Sequence, residues 1–547
     1  MVFEPMIAKD IEKKHFFKET AKEMGFTALK TGIATLHCPY DNDYINKNFS
    51  LAMLQPNPTK EKLYKAYMNK LIYSSSGEYV YKDLGLTYLA PDGESAQNML
   101  NVAKNFDIPV NLIDPASLTS IGLNPFVYDD PVKVSTIISS VLRGINPTPP
   151  SEETYEEKVG MQAVENITIL LKEMYPHIKD GILPTLEDLL KMLNDFDLVE
   201  VMCEKMKAIP ELSEKYSMQL NYFKKNFYRN SPGRDNTEKY IFYAVNQLDS
   251  LLRYPGVKNI LCNRTNNINF DNALKNGEIT IACTRRGDLG ATAHKAFGLF
   301  LILLMQHSVL SRPGNERTRI PHFLYIDEFP TYICRATEPL FTLYRKYRVA
   351  TIISAQNLAQ LEGENPKFNF KSTILANCST KLVFGDNTPE DNAWWAKEMG
   401  QQREWQSGRN YDLAKGQYDE KLNGVKFGWA DIMAPGKVQT LKFKACGYKT
   451  KLNNGRFISG QGSVDFLASK YKEVQETKTF NFTKFTPGMY SEEKKSKKFN
   501  RFDYKSVDFD TATDDVDPIQ SDNSPSKYLL NNEDAILFDL SDNKKDN

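Results

Sequence analysis

Six short apolar runs, each about the length of one strand, recur along the 547-residue chain with helix-length stretches between most of them. They are "LTYLA" (86–90), "IPVNLIDP" (108–115), "GEITIACTR" (277–285), "PHFLYIDEF" (321–329), "VATIISAQ" (349–356) and "STKLVFGDN" (379–387). Their cores are nearly continuous in apolar residues instead of alternating, which is the pattern of strands buried on both faces of a parallel sheet. Parallel neighbours require crossovers of a dozen residues or more, usually helices. The succession therefore predicts a doubly wound α/β domain.

The crossovers read as helices. Residues 1–24 form an amphipathic one, with Met6, Ile7, Ile11 and Phe16 as its apolar side, and a Pro-Asp-Gly turn at 91–93 opens another that runs to Asn105. Asp130 caps a helix over 130–145. The stretch 291–310 is apolar throughout and reads as a buried helix, and 338–348 as a shorter one. From about 150 to 253 the pattern is helical only, with apolar residues spaced by three and four. Thr185 with Asp188 makes a capping box there. This block is expected to be an all-α domain inserted between strands of the sheet. Residues 25–84 are irregular, 425–460 look like short β structure, and the tail from about 484 is read as disordered. That tail runs from a basic stretch, Lys494 to Lys505, into an acidic one beginning at Asp508.

Lys and Arg together number 69 and so do Asp and Glu, so no global basic field marks a nucleic-acid binder and any such contact must be local. The seven cysteines are scattered without a C-x-x-C pair, which points to buried thiols in a reducing compartment and away from zinc. No run of eighteen apolar residues exists; the longest candidate, 296–310, is interrupted by Gln306 and His307. The N-terminus carries acids and bases throughout, unlike a signal peptide. The chain by itself is expected to be cytoplasmic.

Chemistry concentrates where these strands end. In "FLYIDEF" the adjacent carboxylates Asp327 and Glu328 fall at the carboxyl end of a buried strand, where open α/β sheets bind ligands. One reading is a Walker B arrangement, in which Asp327 orients Mg²⁺ on nucleotide phosphates and Glu328 activates water. The other is a solvated turn whose acids favour a helix N-terminus. Gln356 ends the next strand, where its amide either bonds a terminal phosphate or simply a loop. Arg345 and Arg348 close the preceding helix, as fingers toward a neighbouring subunit's nucleotide or as cations offsetting the helix dipole. Arg285 and Arg286 end the strand at 277–285 and suit a phosphate or DNA contact, or a surface turn. A motor also needs a phosphate cradle, yet G-x-x-x-x-G-K-[ST] occurs nowhere in the sequence.

Taken together, "LAPDGE" (89–94), "IDP" with "GLNPF" (113–126), "FLYIDEFPTY" (323–332) and "YRKYRVATIISAQNLAQL" (344–361) resemble the coupling proteins of type IV secretion. These are the TraG-like conjugative DNA transfer ATPases, and the similarity spans roughly residues 1–470. The resemblance implies a RecA-like P-loop NTPase motor domain akin to FtsK and HerA, with an inserted all-α domain and a disordered C-terminal tail. It implies ATP and Mg²⁺ as cofactors, with Asp327 as the metal-bearing residue, Glu328 as the catalytic carboxylate, Gln356 as a sensor and Arg345 as a finger in trans. Arg285 and Arg286 belong with the nucleotide-binding residues. Relatives often have Gly where Tyr344 stands. Relaxase-bound single-stranded DNA, the relaxosome and the secretion channel are the implied partners, in a homo-hexamer anchored to the cytoplasmic face of the membrane and carried by a mobile genetic element. On this reading 1–149 is the first part of the nucleotide-binding domain without its Walker A loop, 150–253 the inserted domain, 254–470 the second part, and 484–547 the tail. The chain is expected to be truncated before or through that loop. It would then be either an ATP-driven DNA translocase lacking its N-terminal part or a catalytically silent adaptor, with a related HerA/FtsK-like secretion ATPase as a third reading.

Overall fold

The computed structural model describes residues 3–23, 84–145, 154–179, 181–316, 319–363, 370–407, 425–452 and 455–472, with short strand pairs between 27 and 81 and at 411–418. The tail read at 484–547, most of 25–84 and the side chain of Phe16 lie outside the described residues. Two compact units are present: Phe3–Asn377 with the segment from Leu467, and Cys378–Phe466.

The first unit is built on five parallel strands: β1 Gly85–Ala90, β2 Val110–Ile113, β3 Ile279–Cys283, β4 His322–Ile326 and β5 Val349–Ile353. Their order is β2-β3-β1-β4-β5, with Leu86 opposite both Ile279 and Phe323 and His322 opposite Val349. Helix α1 (Phe3–Glu23) and helix α2 (Gly93–Asn105) cover one face. There Ile7, Ile11, Met99 and Val102 pack with Leu86, Tyr88, Ile281 and Tyr325. Burying Ile7 and Ile11 contributes about 1.5–3 kcal/mol each, and this holds α1 against the sheet.

Polar bonds fix the direction of α1. Near its start Glu4 accepts from Asn98 at 2.9 Å, midway Tyr325 donates to Asp10 at 2.6 Å, and further on Lys14 donates to the Leu84 and Gly277 carbonyls at 3.0 and 2.7 Å. Those carbonyls lie where β1 and β3 begin, so α1 runs antiparallel to the strands and its first turn is at their carboxyl ends. Burial raises the Asp10 pKa, against the Tyr325 hydrogen bond that lowers it.

Leu89, Ala282, Leu324 and Ile326 are equally buried, and by strand alternation they point to the other face. The helix Arg286–Leu310 lies in the crossover that leads from β3 to β4. Among the described residues it is the one helix long and apolar enough to cross a membrane, and most of it is buried in the protein. Gly290, at φ 70°, ψ 175°, breaks its first turn from the remainder, so the regular helix starts where the sequence placed it.

Between β2 and β3 the chain is helical. Helices Pro131–Ile145, Tyr155–Ile178, Leu186–Asn194, Phe196–Lys207 and Arg234–Leu252 are its main members, and short helices continue to Asn276, beyond the stretch read from the sequence. Asp130 caps the first, accepting from Val132 N at 3.0 Å. The Thr185–Asp188 box forms as expected: Thr185 N donates to Asp188 at 2.9 Å and Asp188 N to Thr185 Oγ1 at 3.4 Å. Arg264 completes it with an ion pair to Asp188 at 2.8 Å.

The run at 379–387 departs from the expectation. It forms a strand over Lys381–Val383, but this pairs antiparallel with Ala445–Lys451, which pairs in turn with Phe457–Ser463, in a three-stranded sheet of the second unit. Five of the six described cysteines are buried, Cys378 being half-buried.

Candidate functional site

Four strands end together at the carboxyl edge of the parallel sheet, and backbone hydrogen bonds lock their ends. Thr284 N donates to Ala90 O at 2.9 Å, Arg286 N to Pro91 O at 2.9 Å, Asp327 N to Leu89 O at 3.1 Å and Phe329 N to Ser354 O at 3.2 Å. The turn after β4 is possible because Glu328 adopts a left-handed conformation, φ 51°, ψ 40°. A non-glycine residue there costs about 1–3 kcal/mol and persists only where its surroundings enforce it.

What enforces it is Ser354, just beyond the end of β5. Its Oγ donates to Asp327 Oδ1 and accepts from Glu328 N at 2.9 Å, while Glu328 N also reaches Asp327 Oδ1 at 3.1 Å. One hydroxyl thus fixes both carboxylate-bearing residues. Nothing singled Ser354 out in the sequence beyond its place two residues before Gln356. The acids also act on β1: burial raises the Tyr88 pKa well above the usual phenol range, and Asp327, Glu4 and Asp92 push the same way. Asp327, Asp92 and Glu4 in the first turn of α1 thus all act on the Tyr88 hydroxyl.

The two arginines of "TRRGD" part company. Arg285, itself left-handed at φ 48°, forms a bidentate pair with Asp114 at 2.9 and 2.7 Å, and the bare Cα of Gly93 lies against its guanidinium. The Asp114 hydrogen bonds raise its pKa further. Its fork is thus spent joining the ends of β2 and β3 to the start of α2. Arg286 instead pairs with the Glu328 carboxylate. Beneath them His294 is fully buried and bonds Tyr332 OH at 3.1 Å, which in turn donates to Thr284 at 3.3 Å. Burial, aided by the Arg286 charge, pulls the His294 pKa down to about 4, so the ring is neutral. Asp114, His294 and Ser354 are the members that sequence reasoning missed.

Gln356 lies two residues past Ser354 and is exposed, its backbone N–H donating to Gln360 at 3.0 Å. Arg345 is placed differently. It sits on a 3₁₀ turn, Tyr344–Tyr347, that precedes β5, and is exposed at the amino edge of the sheet. The five residues of β5 separate it from Asp327, about 16 Å at 3.3 Å per residue. The structure brings Asp327, Glu328 and Arg286 together and leaves Arg345 away from its own chain's cluster.

Among the described residues no three His, Cys, Asp or Glu side chains form a metal cage. A single strand-end carboxylate beside a serine hydroxyl is nonetheless the donor set Mg²⁺ uses, since that ion keeps most of its waters and takes one or two carboxylates plus phosphate oxygens. The hydrogen bonds described for Asp327 all fall on Oδ1, and Asp327 and Ser354 fit the ion on that ground.

These features define an α/β protein with a carboxylate pair at the carboxyl edge of a parallel sheet. Residues 321–442 match a family model described as the TraM recognition site of TraD and TraG. The chain resembles the TraG-like coupling proteins of type IV secretion through this match, which takes in β4, the acidic turn, β5 and part of the second unit. Solved structures resembling it include the bacterial conjugative coupling protein TrwBdeltaN70 in an unbound monoclinic form, with 13% identity over 80% of this chain and 93% of that one and a TM-score of 0.45. Plasmid coupling protein TrwB in complex with ADP and Mg²⁺ has 14% identity over 70% and 86%, TM-score 0.43. VirB4 of Thermoanaerobacter pseudethanolicus has 14% identity over 73% and 97%, TM-score 0.34. No curated protein sequence matches the chain.

Proposed function

We propose that the chain carries the water-activating part of a conjugative coupling motor, an ATPase that recruits relaxase-bound single-stranded DNA and delivers it to a type IV secretion channel. The observation behind this is the Asp327–Glu328 turn at the carboxyl end of a central buried strand, held by Ser354, inside the segment that matches the TraD and TraG model. On this reading Asp327 and Ser354 hold Mg²⁺, which would supply charge neutralisation on the phosphates of ATP. Glu328 takes a proton from water, which requires its carboxylate to leave Arg286. Arg286, once released, lies beside the acidic turn as a phosphate ligand, and Gln356 reports on the terminal phosphate. Arg285 contributes by clamping the strand ends. Arg345, at the opposite edge, serves a neighbouring subunit in a hexamer. The helical stretch 150–253 selects substrate, and 321–442 faces a relaxosome component as the family description names it. The motor works at the cytoplasmic face of the membrane.

A second reading is a catalytically silent adaptor. It is favoured by the absence of a G-x-x-x-x-G-K-[ST] sequence and by the engagement of Glu328 with Arg286. Titration with ATP and Mg²⁺, followed by tryptophan or labelled-nucleotide fluorescence, distinguishes the two. The motor reading expects Mg²⁺-dependent binding weakened at least tenfold by Asp327→Asn; the adaptor reading expects no difference between the two proteins.

A further inference from the structure

The second unit carries a surface most of which lies past the 321–442 segment assigned above. The whole chain is neutral, yet residues 437–466 contain Lys437, Lys442, Lys444, Lys449, Lys451 and Arg456 against one acid, Asp465. Large aromatic rings stand exposed among these cations. Phe443, two residues before the strand Ala445–Lys451, is 75% exposed, and Phe457, opposite Lys451 at the strand's other end, is 49% exposed. Each ring belongs to an aromatic and cationic cluster. Phe443 packs on Phe466 at 5.5 Å with Lys444 4.7 Å over the latter, and Lys449 and Lys451 lie 5.4 and 5.6 Å from the Phe457 ring.

The lysines are not equivalent. Lys449 and Lys381 are both committed to Glu398, at 3.0 and 2.8 Å, so their charges are partly offset within the unit. Lys442, Lys444 and Lys451 are exposed beside the two rings. Seven residues of strand separate the clusters, on the order of 20 Å at about 3.4 Å per residue. Two partly exposed rings with flanking cations at that spacing suit an unpaired nucleic-acid strand, whose bases stack on the rings while its phosphates meet the lysines. A duplex hides its base faces, and an acidic peptide without aromatic residues has nothing to stack.

We propose that the Phe443 and Phe457 clusters, with Lys442, Lys444 and Lys451, form a binding surface for single-stranded nucleic acid. This contact deepens the coupling reading by naming where the strand touches the second unit, but it needs no nucleotide. A chain that binds the strand without turning over ATP would therefore fail the motor reading and leave this one intact.

The test is fluorescence anisotropy of a labelled oligothymidylate of about twenty nucleotides with the full chain, without nucleotide, across a salt series. Phe443→Ala with Phe457→Ala is expected to weaken binding roughly tenfold or more at an unchanged salt slope. Replacing Lys442, Lys444 and Lys451 by Gln should flatten the slope of log affinity against log salt by about two, from three lost phosphate contacts on a single strand. All five side chains are exposed, so thermal unfolding should not move. If the alanine pair does destabilise the protein, Phe443→Leu with Phe457→Leu keeps the apolar bulk, loses the π faces and should show the same tenfold loss. The proposal is overturned if the parent chain does not bind the strand, if the variants bind as the parent does, or if a duplex or polyglutamate competes as well as the strand.

Discussion

Two histidines show how burial sets a property of the whole chain. His294 is held neutral with its pKa near 4, and His322, bonded to Thr87 at 2.9 Å, has its pKa pulled down to about 3 by burial, with Arg312 and Lys14 pushing the same way. Both values lie below the unfolded value near 6.5, so the unfolded chain takes up protons first as pH falls. Their stabilising contribution is therefore complete above pH 6.5 and is lost as pH drops toward 4. Each histidine contributes about 1.4 kcal/mol per pH unit in that window. Urea unfolding at pH 7.0 and 4.5 should show a loss of several kcal/mol, with His294→Asn removing close to half of the pH dependence. A flat profile would contradict neutral burial. Asp10 works in the opposite direction, because burial raises its pKa and protonation relieves it. At the site itself, Ser354→Ala removes a donor to Asp327 and an acceptor for Glu328 N, and should cost about 1–2 kcal/mol of stability by the same assay.

Strands and caps were legible in the sequence because their signals are local. The continuous apolar run of β4 and the Thr185–Asp188 box each contain within a few residues the physics that forms them. Pairing is not local. Lys381–Val383 has the apolar pattern of a sheet strand, but its partner Ala445–Lys451 lies more than sixty residues on, and nothing in the run names it. The helix expected over 338–348 divides into Pro339–Thr342 and the 3₁₀ turn Tyr344–Tyr347, stopped by the left-handed Arg348. Apolar spacing does not report such a break. Sites are similarly divided: the Asp327–Glu328 pair could be read, whereas Asp114, His294 and Ser354 join it only through the sheet topology. Tertiary contact also governs the short helix Pro255–Leu261, where a Cβ on Gly256 would lie 2.0 Å from the Pro115 carbonyl oxygen. Gly256→Ala must push the helix off the turn next to Asp114, and should destabilise by about 2 kcal/mol or more in thermal unfolding. An unchanged melting temperature would show that this packing is looser than the structure has it.

At the scale of the molecule, the fold gathers acidic and basic groups from four strand ends at one edge of a parallel sheet. It also places in a separate unit a surface of lysines and exposed rings. In the proposed motor these have different tasks, one acting on nucleotide and the other on the strand being moved. The measurement that bears most directly on that account is ATP hydrolysis with and without single-stranded DNA, comparing the parent with Glu328→Gln. It should be made with and without Mg²⁺. The account predicts turnover that requires Mg²⁺ and rises with DNA, and that Glu328→Gln lowers it by about a hundredfold or more, as expected when a group positioned for proton transfer is lost. Turnover that survives Glu328→Gln unchanged would contradict it, and would place the chemistry somewhere other than the acidic turn after β4.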